Sequence, residues 1–287
     1  VPFARSFFCD KKTSNTETGE IMSNTHAGKN NDDKDNQNND MSNQKIRTDG
    51  RKLLQLRPIV ITPHVSEYAE GSVMVEFGKT KVLVTATYEA QGPKWLQGSG
   101  QGWITAEYGM LPRATHQRVK RDKNLNSGRT QEISRLIGRS LRAAVNLKAL
   151  GEKQITVDCD VINADGGTRT ASVTGGFVAL ALALKKLHTI GEIKSLGLQH
   201  YVSAISVGFK EGQAFLDMNY EEDSNISTDM NFVMTDQHKF IEVQGTAEQQ
   251  AFSKTELVQL LEVAEQGCQQ LFIEQEKCIG SFFPLLK

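Results

Sequence analysis

The sequence predicts an α+β body of two similar halves, strands first and helix after. Three observations predict it. Two β-rich segments of the same form lie 132 positions apart, apolar stripes at helical spacing follow strands in both halves, and residues 1–45 share none of this patterning. The expected organisation is an N-terminal extension over 1–45, a first half over 46–190, and a second half with a C-terminal helix over 191–287.

The extension comes first. Residues 9–45 are dominated by Asn, Asp, Lys, Ser and Thr and hold no aromatic residue. Such a segment cannot offset its ordering entropy by burial, so disorder is expected. The opening VPFARSFF is too short for a signal-peptide core. Met22 and Met41, each followed by Ser-Asn, are candidate starts.

In the first half, SVMVEFGKTKVLVTATYE at 72–89 places two β-rich runs around Gly78-Lys79-Thr80, a hairpin signal. A long loop is expected over 90–127. A helix follows from Arg129 to Lys148, with Ile133, Leu136, Ile137, Leu141, Ala144 and Val145 as its apolar stripe and Arg135, Arg139 and Arg142 on its polar face. Ile155 to Ile162 alternates as a strand. After a Gly-rich turn, an Ala/Leu-rich helix is expected from Thr170 to Leu187.

The second half repeats the hairpin as AISVGFKEGQAFLDMNYE at 204–221. The two segments align without a gap, matching Val75 with Val207, Phe77 with Phe209, Tyr88 with Tyr220 and Glu89 with Glu221. Four identities in eighteen are weak alone, but the shared hairpin form supports an internal duplication. A further hairpin over 230–246 turns at Asp236-Gln237. Ser253-Lys-Thr-Glu256 reads as a capping box opening the last helix.

Composition narrows the function. The chain nets −1, with 33 basic and 34 acidic residues, which excludes a globally basic nucleic-acid binder. No 18 consecutive residues are apolar, so no membrane span is expected. Cys9, Cys159, Cys268 and Cys278 form no CxxC pair, which suggests free thiols in a reducing, cytoplasmic setting. Neutrality hides an asymmetry: residues 113–142 hold nine basic and two acidic residues. A locally basic face is what a polyanion site needs, although such runs also form plain solvated helix faces.

Two helix starts carry Arg beside Gly and Thr: Ser127-Gly128-Arg129-Thr130, and Asp165-Gly166-Gly167-Thr168-Arg169-Thr170. Helix N-termini present free N–H groups, Gly admits close approach of an oxyanion, and Arg adds a fork of donors. An acidic candidate lies at Asp217-Met-Asn-Tyr-Glu221-Glu222-Asp223, with Asp229 beyond. Fully extended, Asp217 and Asp223 would stand roughly 20 Å apart, so they cooperate only if the chain turns between them. Spacing alone slightly favours a plain turn, with Asp217 as a salt-bridge partner. An anion pocket, carboxylates fit for Mg²⁺ and a basic strip together suit phosphoryl transfer on a nucleic acid or nucleotide.

The strings RTDGR (47–51), GQGWITAEYGMLPRATHQR (100–118), GRTQEISRLIGRSLRAA (128–144), DCDVINADGGTRTASVTG (158–175), LDMNYEEDSNISTDMN (216–231) and EVQGTAE (242–248) resemble bacterial ribonuclease PH, over about 47–275. The resemblance implies the ribosomal protein S5 domain 2-like fold and a phosphorolytic 3′→5′ exoribonuclease. It trims transfer RNA precursors and other RNA 3′ ends, releases nucleoside diphosphates, and runs in reverse as a nucleotidyltransferase. It implies phosphate ligands at Arg129, Gly167, Thr168 and Arg169, RNA contacts at Arg113, Arg118 and Arg121, and catalytic, metal-holding aspartates at Asp217 and Asp223. It further implies Mg²⁺ or Mn²⁺, inorganic phosphate as co-substrate, and a homohexamer built as a trimer of dimers. A non-catalytic RNA-binding ring subunit of the same fold is the competing reading.

Overall fold

The computed structural model describes residues 47–121, 127–248 and 251–285. The expectations for 1–45 and for Asp122 and Lys123 therefore lie outside the described residues. β1 (Ile59–Pro63), β2 (Gly71–Phe77) and β3 (Thr80–Glu89) form an antiparallel meander, and the predicted hairpin closes with Phe77 opposite Thr80.

The expected loop at 90–127 contains a strand, β4 (Trp103–Met110). Ile104, Ala106 and Tyr108 alternate into the core, and β4 finds its partner about 50 residues later, in β5. The helix expected over 129–148 is two: α1 (Gly128–Ala143) and the short α2 (Leu147–Leu150). The chain breaks between them because Val145 bridges to Leu198 and Asn146 caps α2 through the Lys148 amide. β5 (Gln154–Asn163) runs antiparallel to β3 and parallel to β4, completing a five-stranded sheet of order β1-β2-β3-β5-β4.

α3 (Thr168–Thr189) follows the Gly-rich turn. It is long and apolar enough to cross a membrane, but 89% of its apolar window is buried inside the fold. It is the central core helix, packed against both sheets and against α1. Gly175 lets it approach Val75 and Val84 of the first sheet: a Cβ there would stand 2.7 Å from a Val75 methyl. On the other side Thr174 accepts a hydrogen bond from the Ala204 amide.

The second sheet is antiparallel and four-stranded, of order β7-β6-β8-β9. β6 (Val202–Lys210) and β7 (Gln213–Leu216) turn at Glu211-Gly212, both with positive φ, as a two-residue hairpin requires. Here the two halves diverge. Tyr88 lies on β3, but its repeat partner Tyr220 opens a helical turn, α4 (Tyr220–Asp223), capped by Asn219 and Glu222. β8 (Thr228–Thr235) and β9 (Phe240–Ala247) form the last hairpin. α5 (Lys254–Ile279) starts at the predicted Ser253–Glu256 capping box and covers the second sheet, with Gly267 set against Leu216 and Ile205.

Candidate active site

The start of α3 supplies an uncapped helix end. Its N-cap, Gly167, has φ +64°, and among the described residues no side chain caps the first-turn amides. Gly166 must be glycine, since a Cβ there would lie 2.6 Å from the Met218 carbonyl. The α1 start differs: Ser127 accepts from the Thr130 amide, so part of that helix end is already satisfied. What α1 brings is the Arg129 guanidinium.

Both starts meet in one cleft of about 510 Å³, lined by Arg129, Gly166, Gly167, Thr168, Arg169, Asp223 and Asp229, among others. All four predicted phosphate ligands are therefore together. Thr168 is tied by its hydroxyl to the buried Tyr108 hydroxyl at 2.8 Å, which ties β4 to the α3 start. Arg169 donates to Gln244 at 3.0 Å.

Asp223 and Asp229 form the acidic wall. Enclosure by the surrounding protein raises the Asp223 carboxyl, Arg129 and Arg169 oppose the rise, and Glu248 adds to it. Burial, then the Asp223 charge, pushes Asp229 up to about 6. Asp229 Oδ1 and Ser206 Oγ are buried without a hydrogen-bond partner among the described residues, and both residues line the cleft.

Asp217 does not join them. It sits at φ +53° and is fully buried. Arg57 holds it with a fork, Nη2 to Oδ1 at 2.6 Å and Nε to Oδ2 at 3.0 Å, and the Arg57 amide donates to Oδ2 at 2.8 Å. Arg51 adds an ion pair at 3.7 Å. The chain does turn after Met218, as cooperation with Asp223 required, but the turn carries Asp223 into the cleft and leaves Asp217 beneath it. The residue expected to be a metal-holding catalytic aspartate therefore has its oxygens taken up by arginines, and it does not line the cleft. The salt-bridge reading of Asp217 describes the geometry.

Arg113, Arg118 and Arg121 are exposed and do not line the cleft themselves. Their segment does: Thr115, His116, Gln117 and Val119 form one wall, and the His116 ring lies 6.3 Å from Tyr220. Among the described residues no three His, Cys, Asp or Glu side chains converge on a cation position. Mg²⁺ needs no such cage, being held by one or two carboxylates plus substrate phosphates and water. Asp223 and Asp229, with an unpartnered oxygen on Asp229, fit that donor set.

Residues 55–186 match the sequence model of domain 1 of the 3′ exoribonuclease family, and residues 200–267 match domain 2. The chain is 68% identical over 240 residues to Ribonuclease PH of Bdellovibrio bacteriovorus, covering 84% of this chain and 99% of that protein. Two solved structures share the fold. Rice (Oryza sativa) Rrp46 has a TM-score of 0.66 at 20% identity, over 81% of this chain and 100% of that one. The Archaeoglobus fulgidus exosome with RNA bound to the active site has a TM-score of 0.69 at 22% identity, over 79% and 92%.

Proposed function

The chain belongs to the 3′ exoribonuclease family, as a phosphate-dependent enzyme of the ribonuclease PH type, and from that premise we propose how its cleft works. Inorganic phosphate binds at the α3 amides of Gly167–Arg169, between the Arg129 and Arg169 guanidinium groups. One of its oxygens attacks the terminal phosphodiester of RNA. The bond to the 3′ oxygen breaks, the shortened RNA leaves with a 3′ hydroxyl, and a nucleoside diphosphate is released. The same path in reverse adds a nucleotide. Catalysis is positioning plus charge neutralisation. The observation that supports this most is the convergence of both arginines, the uncapped helix end and two carboxylates on one cleft. Shortening of a 3′-extended RNA only when phosphate is present tests it; equal shortening without phosphate contradicts it.

A divalent ion, Mg²⁺ or Mn²⁺, would be held by Asp223 and Asp229 and would supply further positive charge at the scissile phosphate. Because Asp229 takes its proton at about 6, protons compete with the cation below that pH. The Mg²⁺ activation midpoint should therefore rise as pH falls through about 6. A midpoint that stays constant removes Asp229 from the cation site.

Transfer RNA precursors are the proposed substrates, gripped outside the cleft by Arg113, Arg118 and Arg121. Changing all three to Ala should weaken binding of whole transfer RNA, with a log–log salt slope about 0.9 shallower for each phosphate no longer neutralised. Phosphorolysis of a short oligonucleotide should suffer less. Equal losses on both substrates, in a variant of unchanged oligomeric size, would sink the assignment. A homohexameric ring and a cytoplasmic setting complete the proposal.

A further inference from the structure

We infer that Arg57, Thr80 and Asp217 are positioning residues for inorganic phosphate, holding the underside of the 165–167 turn so that its amides face the anion. The inference rests on the phosphate-dependent reading above. A Gly-Gly turn admits the anion closely, but glycine also leaves the backbone free to rotate. A flipped peptide would present a carbonyl oxygen to the phosphate and repel it. Two side chains oppose that flip. Arg57 Nη1 donates to the Asp165 carbonyl at 2.5 Å and lies 3.4 Å from that of Gly166. Thr80 Oγ1 donates to the Gly166 carbonyl at 2.7 Å and accepts from the Asp165 amide at 3.0 Å. Neither residue lines the cleft, so these carbonyls are fastened on the side away from it.

Asp217 completes the device. Its forked pair fixes the plane of the Arg57 guanidinium and matches its charge, with both side chains almost wholly buried. The arginine is thereby a clamp on the turn and not a ligand of the phosphate. The clamp sits close beneath Gly167, where a Cβ would lie 3.0 Å from Arg57 Nη2. A carboxylate can therefore be needed for turnover without touching metal or substrate.

Steady-state phosphorolysis of a short oligonucleotide, with phosphate and Mg²⁺ varied, tests this in Thr80→Val, Thr80→Ser and Asp217→Asn. Misplacing a positioned group by about 1 Å costs up to about a hundredfold, so Thr80→Val and Asp217→Asn should raise the phosphate KM by about ten- to a hundredfold. The oligonucleotide KM and the Mg²⁺ midpoint should stay at the wild-type value. Thr80→Ser, which keeps the hydroxyl, should restore the phosphate KM. Removing one partner of a buried ion pair is strongly destabilising, so if Asp217→Asn does not fold the Thr80 pair decides. An unchanged phosphate KM in Thr80→Val overturns the inference, as does a shifted Mg²⁺ midpoint with unchanged phosphate KM in Asp217→Asn. Loss of phosphate dependence in the wild-type enzyme would overturn the functional reading instead.

Discussion

Arg129→Ala and Arg169→Ala should each lower phosphate-dependent turnover by about 10²–10³, the usual cost of removing one donor from a developing anion. Each guanidinium offers a fork of charge-assisted hydrogen bonds, and both line the cleft at the α3 start. The loss should appear as a raised KM for phosphate, a lowered kcat, or both. Folding should survive, because Arg129 is exposed and the half-buried Arg169 donates to the side chain of Gln244 rather than to the core. Titrating phosphate with each purified variant measures the effect. Wild-type phosphate kinetics in both variants would remove the pocket from the mechanism.

The larger effect is expected at Asp223. Asp223→Asn keeps the shape and deletes the charge. It should reduce both phosphorolysis and the reverse extension by about 10³-fold or more, equivalent to about 4 kcal/mol of transition-state stabilisation. The two directions share one transition state, so they should fall together. RNA binding should persist, since Arg113, Arg118 and Arg121 lie outside the cleft. Stability at neutral pH should hold or rise slightly. The Asp223 pKa is raised in the folded state, first by enclosure, so its ionised form is disfavoured there. The stability linked to its proton is present below the unfolded pKa and is lost as pH rises through the folded value. Asn avoids that loss. It also removes the second cause of the Asp229 shift, so Asp229 should ionise at lower pH in this variant. Activity in either direction near the wild-type level would return Asp223 to a turn residue.

The sequence announces the α3 start because Gly166-Gly167-Thr168-Arg169 combines backbone freedom, an uncapped helix and a cation in four residues. The α5 capping box and the β6–β7 turn are equally local. Long-range partners are not. β4 hides between glycines, and its parallel pairing with β5 leaves no hairpin signal, although Ile104, Ala106 and Tyr108 keep strand spacing. Arg57 lies 160 residues from Asp217, and nothing in either neighbourhood marks the pair. Six positions apart, Asp217 and Asp223 share strand parity in the sequence. The left-handed backbone at Asp217 breaks that parity and separates a buried ion-pair partner from a carboxylate on the cleft wall. Resemblance to ribonuclease PH put the two aspartates into one class, whereas the hydrogen bonds divide them. Asp229, noted only as a neighbour in the chain, proves to share the cleft with Asp223.

The most direct measurement follows the phosphorus atom. The purified enzyme is incubated with Mg²⁺, a 3′-extended transfer RNA and isotopically labelled inorganic phosphate, and the released nucleotides are separated. Attack by phosphate bound at the α3 start predicts nucleoside diphosphates carrying the label at the β position, and far less of them from Arg169→Ala at matched phosphate. Unlabelled nucleoside monophosphates would mean that water is the nucleophile, and would contradict the account.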